Sequence, residues 1–219
     1  RAYFDRSLGR LSPARAQLTA DYGAAVAQRN ASLRRIATGA SSRAALEPWT
    51  AQVVELGLAL VAARKEMLAL LAPPFAVHAG ALGLDDGELR YAGEPPTVEQ
   101  LEARLDRDLD RGITGLGPHL DDVVIASGPR ELREFGSQGE QRLAVLALLL
   151  AEAELISERR GVPPLLLLDD VLSELDPARR RILAERVVRT GQTLITATDR
   201  AMLPADPDQH VEVSRGTAR

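Results

Sequence analysis

Two groups of residues in this chain have the types and spacing of a phosphate-handling site. The first is Gly136-Ser137-Gln138-Gly139-Glu140, a hydroxyl set between glycines directly before an apolar helical run. A helix N-terminus presents unpaired backbone N–H groups and the positive end of the helix dipole, so this turn suits an anion such as phosphate; it equally suits ordinary helix capping. The second is Leu165-Leu166-Leu167-Leu168-Asp169-Asp170, an apolar strand that ends in two acids. Functional groups gather beyond the carboxyl ends of the strands in an open parallel sheet. There Asp169 can hold Mg2+, usually through water, because the ion takes oxygen ligands and keeps much of its hydration shell; Asp170 can orient or deprotonate an attacking water. An isolated acid pair after an apolar run also serves as a cap or a solvated turn. Order narrows the choice: a serine-x-glycine turn, a buried helix, an apolar strand with two acids, Ser173-x-x-Asp176, then a strand ending in Thr198-Asp199. That order reads as one half of a nucleotide-hydrolysing site. The other half, a glycine-rich loop carrying a lysine, is not among these residues, since the only lysine is Lys65, between Arg64 and Glu66.

The elements that must position these groups follow from periodicity and punctuation. Ser12-Pro13 predicts a helix start, and Leu18, Tyr22, Val26, Leu33 and Ile36 recur at helical spacing up to Gly39. A second helix runs from Glu47-Pro48-Trp49 through Val53, Leu56, Leu60, Met67 and Leu71, with Pro73-Pro74 predicted to stop it; the two helices form an antiparallel pair. Between Phe75 and Tyr91 the glycines and Asp85-Asp86-Gly87 predict short strands or loop. Thr97, with Glu99 and Gln100 in the first turn, caps a third helix through Leu101, Leu105 and Leu109 to Gly112. The texture then changes. Val123-Val124-Ile125 predicts a strand, Gly128-Pro129 a turn and Leu132 to Phe135 a return strand. Leu143 to Ile156 is apolar nearly all round, which marks a buried helix. The leucine run, bounded by Pro163-Pro164 and the acids, predicts a strand covered on both faces in a parallel sheet. A helix from Pro177 to Gly191 and a strand at Leu194-Ile195-Thr196-Ala197-Thr198 complete an α/β alternation.

Composition narrows the class. With 219 residues, 45% of them hydrophobic, the chain can bury a real core in one large or two small domains. No cysteine is present, which excludes a disulfide framework and Cys-ligated zinc and fits a reducing compartment. No signal peptide appears, and the longest apolar run, 143–151, is far short of the ~20 residues that cross a bilayer. A soluble cytoplasmic protein with no membrane contact is expected. A net charge of -4 does not announce a nucleic-acid binder, although local patches can still bind phosphate. Arg179-Arg180-Arg181 and Arg29, Arg34 and Arg35 are candidates for that contact, or solvated helix faces. His78, His119 and His210 are too scattered for a metal site. The first residue is arginine, not methionine, as expected of a piece of a longer polypeptide.

The ordered set resembles the signature motif, Walker B strand, D-loop and switch of ABC-type ATPases, and in detail it is similar to the RecF family of bacterial SMC-like DNA-repair proteins. Four further features match that family: Tyr3-Phe4-Asp5; Tyr22 with Gln28-Arg29-Asn30; Gly117-Pro118-His119-Leu120-Asp121-Asp122; and the continuation of Ser137-Gln138-Gly139-Glu140 into Gln141-Arg142. The run from Leu167 to Asp176 matches best. The resemblance implies an α/β fold: an incomplete ABC-type head, with a parallel sheet and flanking helices, plus an all-helical insert lobe. It divides the chain into a remnant of the N-terminal ATPase lobe at 1–11, a helical lobe at 12–114 and a C-terminal ATPase lobe at 115–219. It also implies ATP and Mg2+ as cofactors and an ATP-dependent homodimer in which Ser137, Gln138, Gly139 and Glu140 face a nucleotide held by the partner. Asp169 would hold the metal shell and Asp170 the water, Ser173 and Asp176 would signal across the dimer, and Thr198 stands where many ABC proteins have histidine. Aspartate in place of the usual glutamate at Asp170 implies slow hydrolysis. Family function implies DNA binding at gaps and junctions during DNA damage repair, replication and the SOS response, with RecO and RecR as partners.

Three departures stand out. Leu120 occupies a usual arginine position, Glu140 a usual glutamine position, and the lobe with the phosphate-binding loop is missing. Two rival readings are a non-catalytic ABC-like interaction module and, against the long helical segment and the Asp-Asp pair, an ABC transporter ATPase subunit.

Overall fold

The computed structural model describes residues 1–188, 191–203, 207–214 and 217–218. It opens with helices α1 (Ala2–Leu11) and α2 (Leu18–Ala37), then the long helix α3 (Glu47–Ala81). Strand β1 (Gly87–Ala92) is followed by two short helices, α4 (Val98–Ala103) and α5 (Leu105–Arg111). Strands β2 (Asp122–Ser127) and β3 (Arg130–Glu131) lead through a four-residue helix, α6 (Leu132–Phe135), into the long helix α7 (Gln138–Arg160). Then come β4 (Leu166–Asp169), α8 (Pro177–Val188), β5 (Thr193–Thr196) and a small ribbon, β6 (Val213–Ser214) and β7 (Thr217–Ala218). The tail of the expected C-terminal lobe lies partly outside the described residues.

Two sheets matter for the site. β1, β2 and β3 form an antiparallel sheet in which Gly87 pairs with Ser127 and Ala92 with Asp122. This sheet joins the helical stretch to everything that follows. β4 and β5 are parallel, with Asp169 opposite Thr196. The fold is therefore α/β, mostly helical, with a parallel strand pair and a helical stretch that precedes it. One core runs through both parts, from Phe4, Leu8 and Leu11 of α1 through Leu60, Met67, Leu71 and Phe75 of α3 and Leu143, Ala147 and Leu150 of α7 to Leu166, Leu168, Leu172 and Leu183.

Several expected boundaries move, each for a physical reason. The helix expected at Pro13 is a single 3-10 turn, Pro13–Arg15, and α2 begins only at Leu18. Ser12 makes no side-chain cap there, and its backbone N–H closes the end of α1 on the Leu8 carbonyl. Pro73-Pro74 does not stop α3, which continues to Ala81. A proline removes the bond to the carbonyl four residues back, here those of Ala69 and Leu70, and both residues lie on the exposed side of α3, where water can take the freed carbonyls. The inward residues beyond, Phe75 and Ala79, are wholly buried and hold the last two turns on the core. The third helix is broken at Arg104 into α4 and α5, but its ends stand as expected: Thr97 and Gln100 form a reciprocal capping box, and Gly112 closes α5 at φ 63°. Leu132 to Phe135 is not a strand, since β3 ends at Glu131 and Leu132 turns in to be buried as the helix α6 begins.

Charge on a helix also misleads. Arg29 is not a surface cation; it is 1% exposed and paired through Nη1 with Asp108 at 2.9 Å, with further bonds to Thr114 Oγ1 at 2.9 Å and Thr50 Oγ1 at 3.3 Å. Asn30 beside it accepts from the backbone N–H of Thr114 at 2.7 Å. This cluster fastens α2 to α5 and to the 112–116 segment. A buried ion pair is costly to assemble, but removing one member leaves the other charge stranded. Asp108→Ala should therefore lower unfolding free energy by about 3–5 kcal/mol in urea denaturation, with the Arg29→Met/Asp108→Leu pair costing far less than the sum of the single changes.

Candidate functional site

The signature turn forms as its sequence dictates. Ser137 is extended (φ -62°, ψ 159°) and caps α7: its Oγ accepts from the N–H of Glu140 at 3.2 Å, and the Glu140 carboxylate accepts from the N–H of Ser137 at 2.8 Å. Gln141 ties the turn down from inside, its amide nitrogen donating to the carbonyls of Leu132 at 2.9 Å and Gly136 at 3.1 Å. Gly136 is obligatory here, because a Cβ would lie 2.5 Å from the Leu132 carbonyl oxygen. Gly139 is not obligatory for the fold: its backbone is helical, and a Cβ would meet only Ser137 Oγ, at 3.9 Å. Ser137, Gln138 and Gly139 are all exposed.

Glu140 is held on both sides. Its second oxygen accepts from Arg130 Nη2 at 2.8 Å, and the bonds from Ser137 and Arg130 draw its pKa from the ordinary 4.5 down to about 2.

The acid pair sits at the carboxyl end of β4, as expected. The strand is covered on one face only: Leu166 and Leu168 are 4% and 5% exposed, but Leu167 is 65% exposed and Leu194 beside it 61%. The expectation of cover on both faces is corrected by that alternation, because in these residues the helices α7 and α8 supply one layer. Asp170 lies in the left-handed region (φ 48°, ψ 28°), which Asp tolerates better than most residues, and this kink turns the chain away from the strand. A residue the sequence reading passed over organises the pair. Thr196, directly opposite Asp169 in the parallel register, donates its hydroxyl to Asp169 Oδ1 at 2.5 Å and accepts the N–H of Asp170 at 3.0 Å. The signal was a β-branched hydroxyl at the end of the neighbouring strand, but only the register identifies it.

Asp169 thus keeps one oxygen for Thr196 and one for solvent, and the Asp170 carboxylate has no hydrogen-bond partner among the described residues. No group of three or more metal-ligating side chains exists among the described residues. Two hard oxygen donors suit Mg2+, which binds through one or two carboxylates and keeps its other ligands as water or phosphate.

The remaining predicted residues have local duties. Ser173 Oγ donates to the Asp170 carbonyl at 2.9 Å, closing the 3-10 turn that follows the acids. Asp176 caps α8, accepting the N–H groups of Ala178 at 3.0 Å and Arg179 at 2.9 Å, which lowers its pKa. Thr198 is exposed in the segment after β5, which ends at Thr196 and not at Thr198, because Asp199 turns the chain by capping the 3-10 helix Arg200–Met202. Of the arginine run, Arg179 donates to the Leu82 carbonyl at 3.0 Å and Arg180 to the Leu172 carbonyl at 2.9 Å, so two of the three hold tertiary structure. Arg34, Arg35 and Arg181 are exposed. No hydrogen bond or ion pair described joins the signature turn to the acid pair.

No protein-family model matches the chain. It is 39% identical over 228 residues to the DNA replication and repair protein RecF of Anaeromyxobacter sp. (strain K), covering 95% of this chain and 60% of that protein. It is 39% identical over 220 residues to the protein of the same name from Synechocystis sp. (strain ATCC 27184 / PCC 6803 / Kazusa), covering 90% and 57%. The chain thus spans about 60% of the length of these curated relatives. Among solved structures it is similar to the recombination mediator protein RecF with ATP, at a TM-score of 0.83 and 25% identity over 100% of this chain and 61% of that one. A second, RecF with ATPrS, gives a TM-score of 0.80 and 27% identity over 94% and 59%.

Two outcomes follow for the signature turn. Gly139→Ala should keep thermal stability or raise it by up to about 1 kcal/mol, since alanine is the better helix former and nothing obstructs its Cβ; a loss of stability would assign the glycine to the fold. The second concerns acid. A folded-state pKa near 2 against an ordinary 4.5 means that Glu140 contributes stability above about pH 4.5 that disappears as pH falls toward 2. The stability difference between parent and Glu140→Gln should accordingly shrink across that window in urea melts at stepped pH.

Proposed function

Because this chain belongs to the RecF family, we propose that it supplies the signature turn and the acid pair of an ATP-hydrolysing head that closes with a second copy around nucleotide. The observation that carries this reading is the turn itself. Ser137, Gln138 and Gly139 lie exposed at the N-terminus of a 23-residue helix, with no side chain on Gly139 to keep a ligand off the backbone. Such a terminus attracts phosphate oxygens through its free N–H groups and dipole. Ser137, Gln138 and Gly139 would act on the nucleotide of the partner head, and the helical lobe 12–114 would stand between the remnant 1–11 and the C-terminal ATPase lobe 115–219.

On the other edge, Asp169 would hold Mg2+ through water, with the Thr196 hydroxyl fixing which carboxylate oxygen remains for the ion. Such an ion would supply positive charge beside the phosphates. The carboxylate of Asp170 would orient the attacking water and take its proton. Its left-handed backbone and the Thr196 bond to its N–H fix the direction from which it does so. Aspartate reaches one methylene less far than glutamate, so hydrolysis is slow and suits a timing role. Ser173 and Asp176, rigidly tied to the Asp170 carbonyl and to the N-terminus of α8, would pass contact with the partner back to the acids. Thr198 would lie near the terminal phosphate. The biological role is that of a RecF-type DNA replication and repair ATPase, binding DNA at gaps and working with RecO and RecR. Arg35 and Arg181 are the surface cations left to contact phosphate from the two runs in the sequence, since Arg34 donates to the Gly112 carbonyl at 3.2 Å.

The 219 residues alone should show no ATP turnover, since they hold no lysine loop for the β- and γ-phosphates. Turnover by the purified chain that vanishes in Asp170→Asn would overturn this. In the complete protein, Ser137→Arg should abolish ATP-dependent dimerisation in sedimentation experiments while nucleotide binding persists, and Asp170→Asn should cut hydrolysis by about 10²-fold or more while dimerisation persists. Loss of both binding and dimerisation in Ser137→Arg would place the serine on the nucleotide of its own head.

A further inference from the structure

The signature turn carries its own anion. Three residues from Ser137, the Glu140 carboxylate lies at the very helix terminus that the proposed function assigns to ATP phosphates, and both of its oxygens are engaged, one by the Ser137 N–H at 2.8 Å and one by Arg130 Nη2 at 2.8 Å. An uncompensated carboxylate there would repel an incoming phosphate. Arg130 prevents that from a separate element: it is on β3, where it pairs with Ser127 across the Gly128-Pro129 turn, with Gly128 at φ 55°. The neighbouring Arg133 is committed elsewhere, to Asp122 at 2.5 Å. The Arg130 side chain is 51% exposed and that of Glu140 27%, so the pair lies at the surface that a partner head would cover.

We propose that Arg130 is a positioning residue of the signature turn, neutralising Glu140 and holding its carboxylate back against the Ser137 N–H so that the exposed turn can receive phosphate. The inference rests on the reading of Ser137-Gln138-Gly139 as a phosphate-receiving turn. It extends that reading by naming the cation on which the turn depends. Removing Arg130 leaves a net negative charge beside each of the two nucleotides of a closed dimer. Removing the charge of Glu140 as well abolishes the need for Arg130, because glutamine keeps the capping geometry without the charge.

The test is ATP-dependent dimerisation of the complete protein, followed by analytical ultracentrifugation across a concentration series with ATP. Arg130→Ala should weaken dimerisation about tenfold for each composite site, with monomer ATP binding unchanged and the melting temperature lowered no more than in Glu140→Gln. Glu140→Gln should tighten it, and Arg130→Ala/Glu140→Gln should return to within about threefold of Glu140→Gln. Raised salt should narrow the gap between Arg130→Ala and the parent. Equal weakening in Arg130→Ala and the double variant overturns the proposal, as does an Arg130→Ala dimer as tight as the parent. Should Arg130→Ala lower the melting temperature further than that, Arg130→Lys decides: it should restore dimerisation, and failure to do so overturns the proposal. A parent that does not dimerise with ATP at all overturns the proposed function, and this inference with it.

Discussion

The structure depends first on one buried guanidinium. Arg64, in the middle of α3, is 3% exposed, and its three nitrogens all donate: to both oxygens of Asp5 on α1 at 2.9 and 3.0 Å, to the carbonyl of Pro118 at 2.7 Å and to the Tyr91 hydroxyl on β1 at 3.3 Å. Tyr91 passes the connection on, donating to Asp121 at 2.6 Å, and burial together with that carboxylate pushes its phenol up to about 12. A cation so deep is tolerable only when every donor is met, so Asp5, Pro118 and Tyr91 have no freedom to drift. The 117–122 loop gains a second anchor from His119, whose Nε2 must donate to the Thr114 carbonyl at 2.9 Å, leaving Nδ1 to accept the Tyr22 hydroxyl at 2.9 Å. Gly117 fits beneath that hydroxyl only because it has no Cβ, which would fall 2.4 Å away, and because its φ is 127°. From this loop the chain enters β2, turns through β3 and arrives at the signature. The position of Ser137 is thus set from Arg64 outward.

The second constraint is α7, which carries the signature turn at one end and packs against the rest along its length. Two glutamates in an otherwise apolar stretch fix its rotation. Glu152, 2% exposed, receives the Tyr3 hydroxyl at 2.5 Å and Arg10 at 3.0 Å, both from α1. Glu154 bonds His78 Nε2 on α3 at 2.9 Å, and Arg186 of α8 donates to the other ring nitrogen at 3.3 Å. With Nδ1 accepting, His78 is neutral, and its burial lowers its pKa accordingly. One imidazole therefore joins three helices, and α8, which follows the acid pair, cannot shift against α7 without breaking it. The departure at Leu120 has no such consequence, for Leu120 is 59% exposed.

What could be read from the sequence was whatever local chemistry decides. The caps at Thr97 and Ser137, the glycine stop at Gly112 and the apolar strand ending in acids all obey rules that act within a few residues, and all stand. What misled was decided at long range. Arg29 reads as a solvated charge because its partner Asp108 is 79 residues away. Pro73-Pro74 reads as a stop because the sequence alone does not say that the two freed carbonyls face water. Thr196 reads as one more strand residue until the parallel register sets it against Asp169. Arg130 gave no signal at all, because its meaning depends on where Glu140 points.

The geometry also bears on why the turn and the acid pair read as parts of two sites. α7 has 23 residues and is about 34 Å long, and Ser137 stands at its start. The return from its far end to Asp169 uses residues 161–169, at most about 30 Å if every one were fully extended and aimed straight back. It is not straight: Gly161 is left-handed at φ 67°, Pro163-Pro164 follow, and only the four residues of β4 are strand. The straightest return would therefore still end short of Ser137, and these bends lengthen the gap between the turn and the acid pair. On the function proposed, the two groups would complete different nucleotide sites, one in each copy of a closed pair.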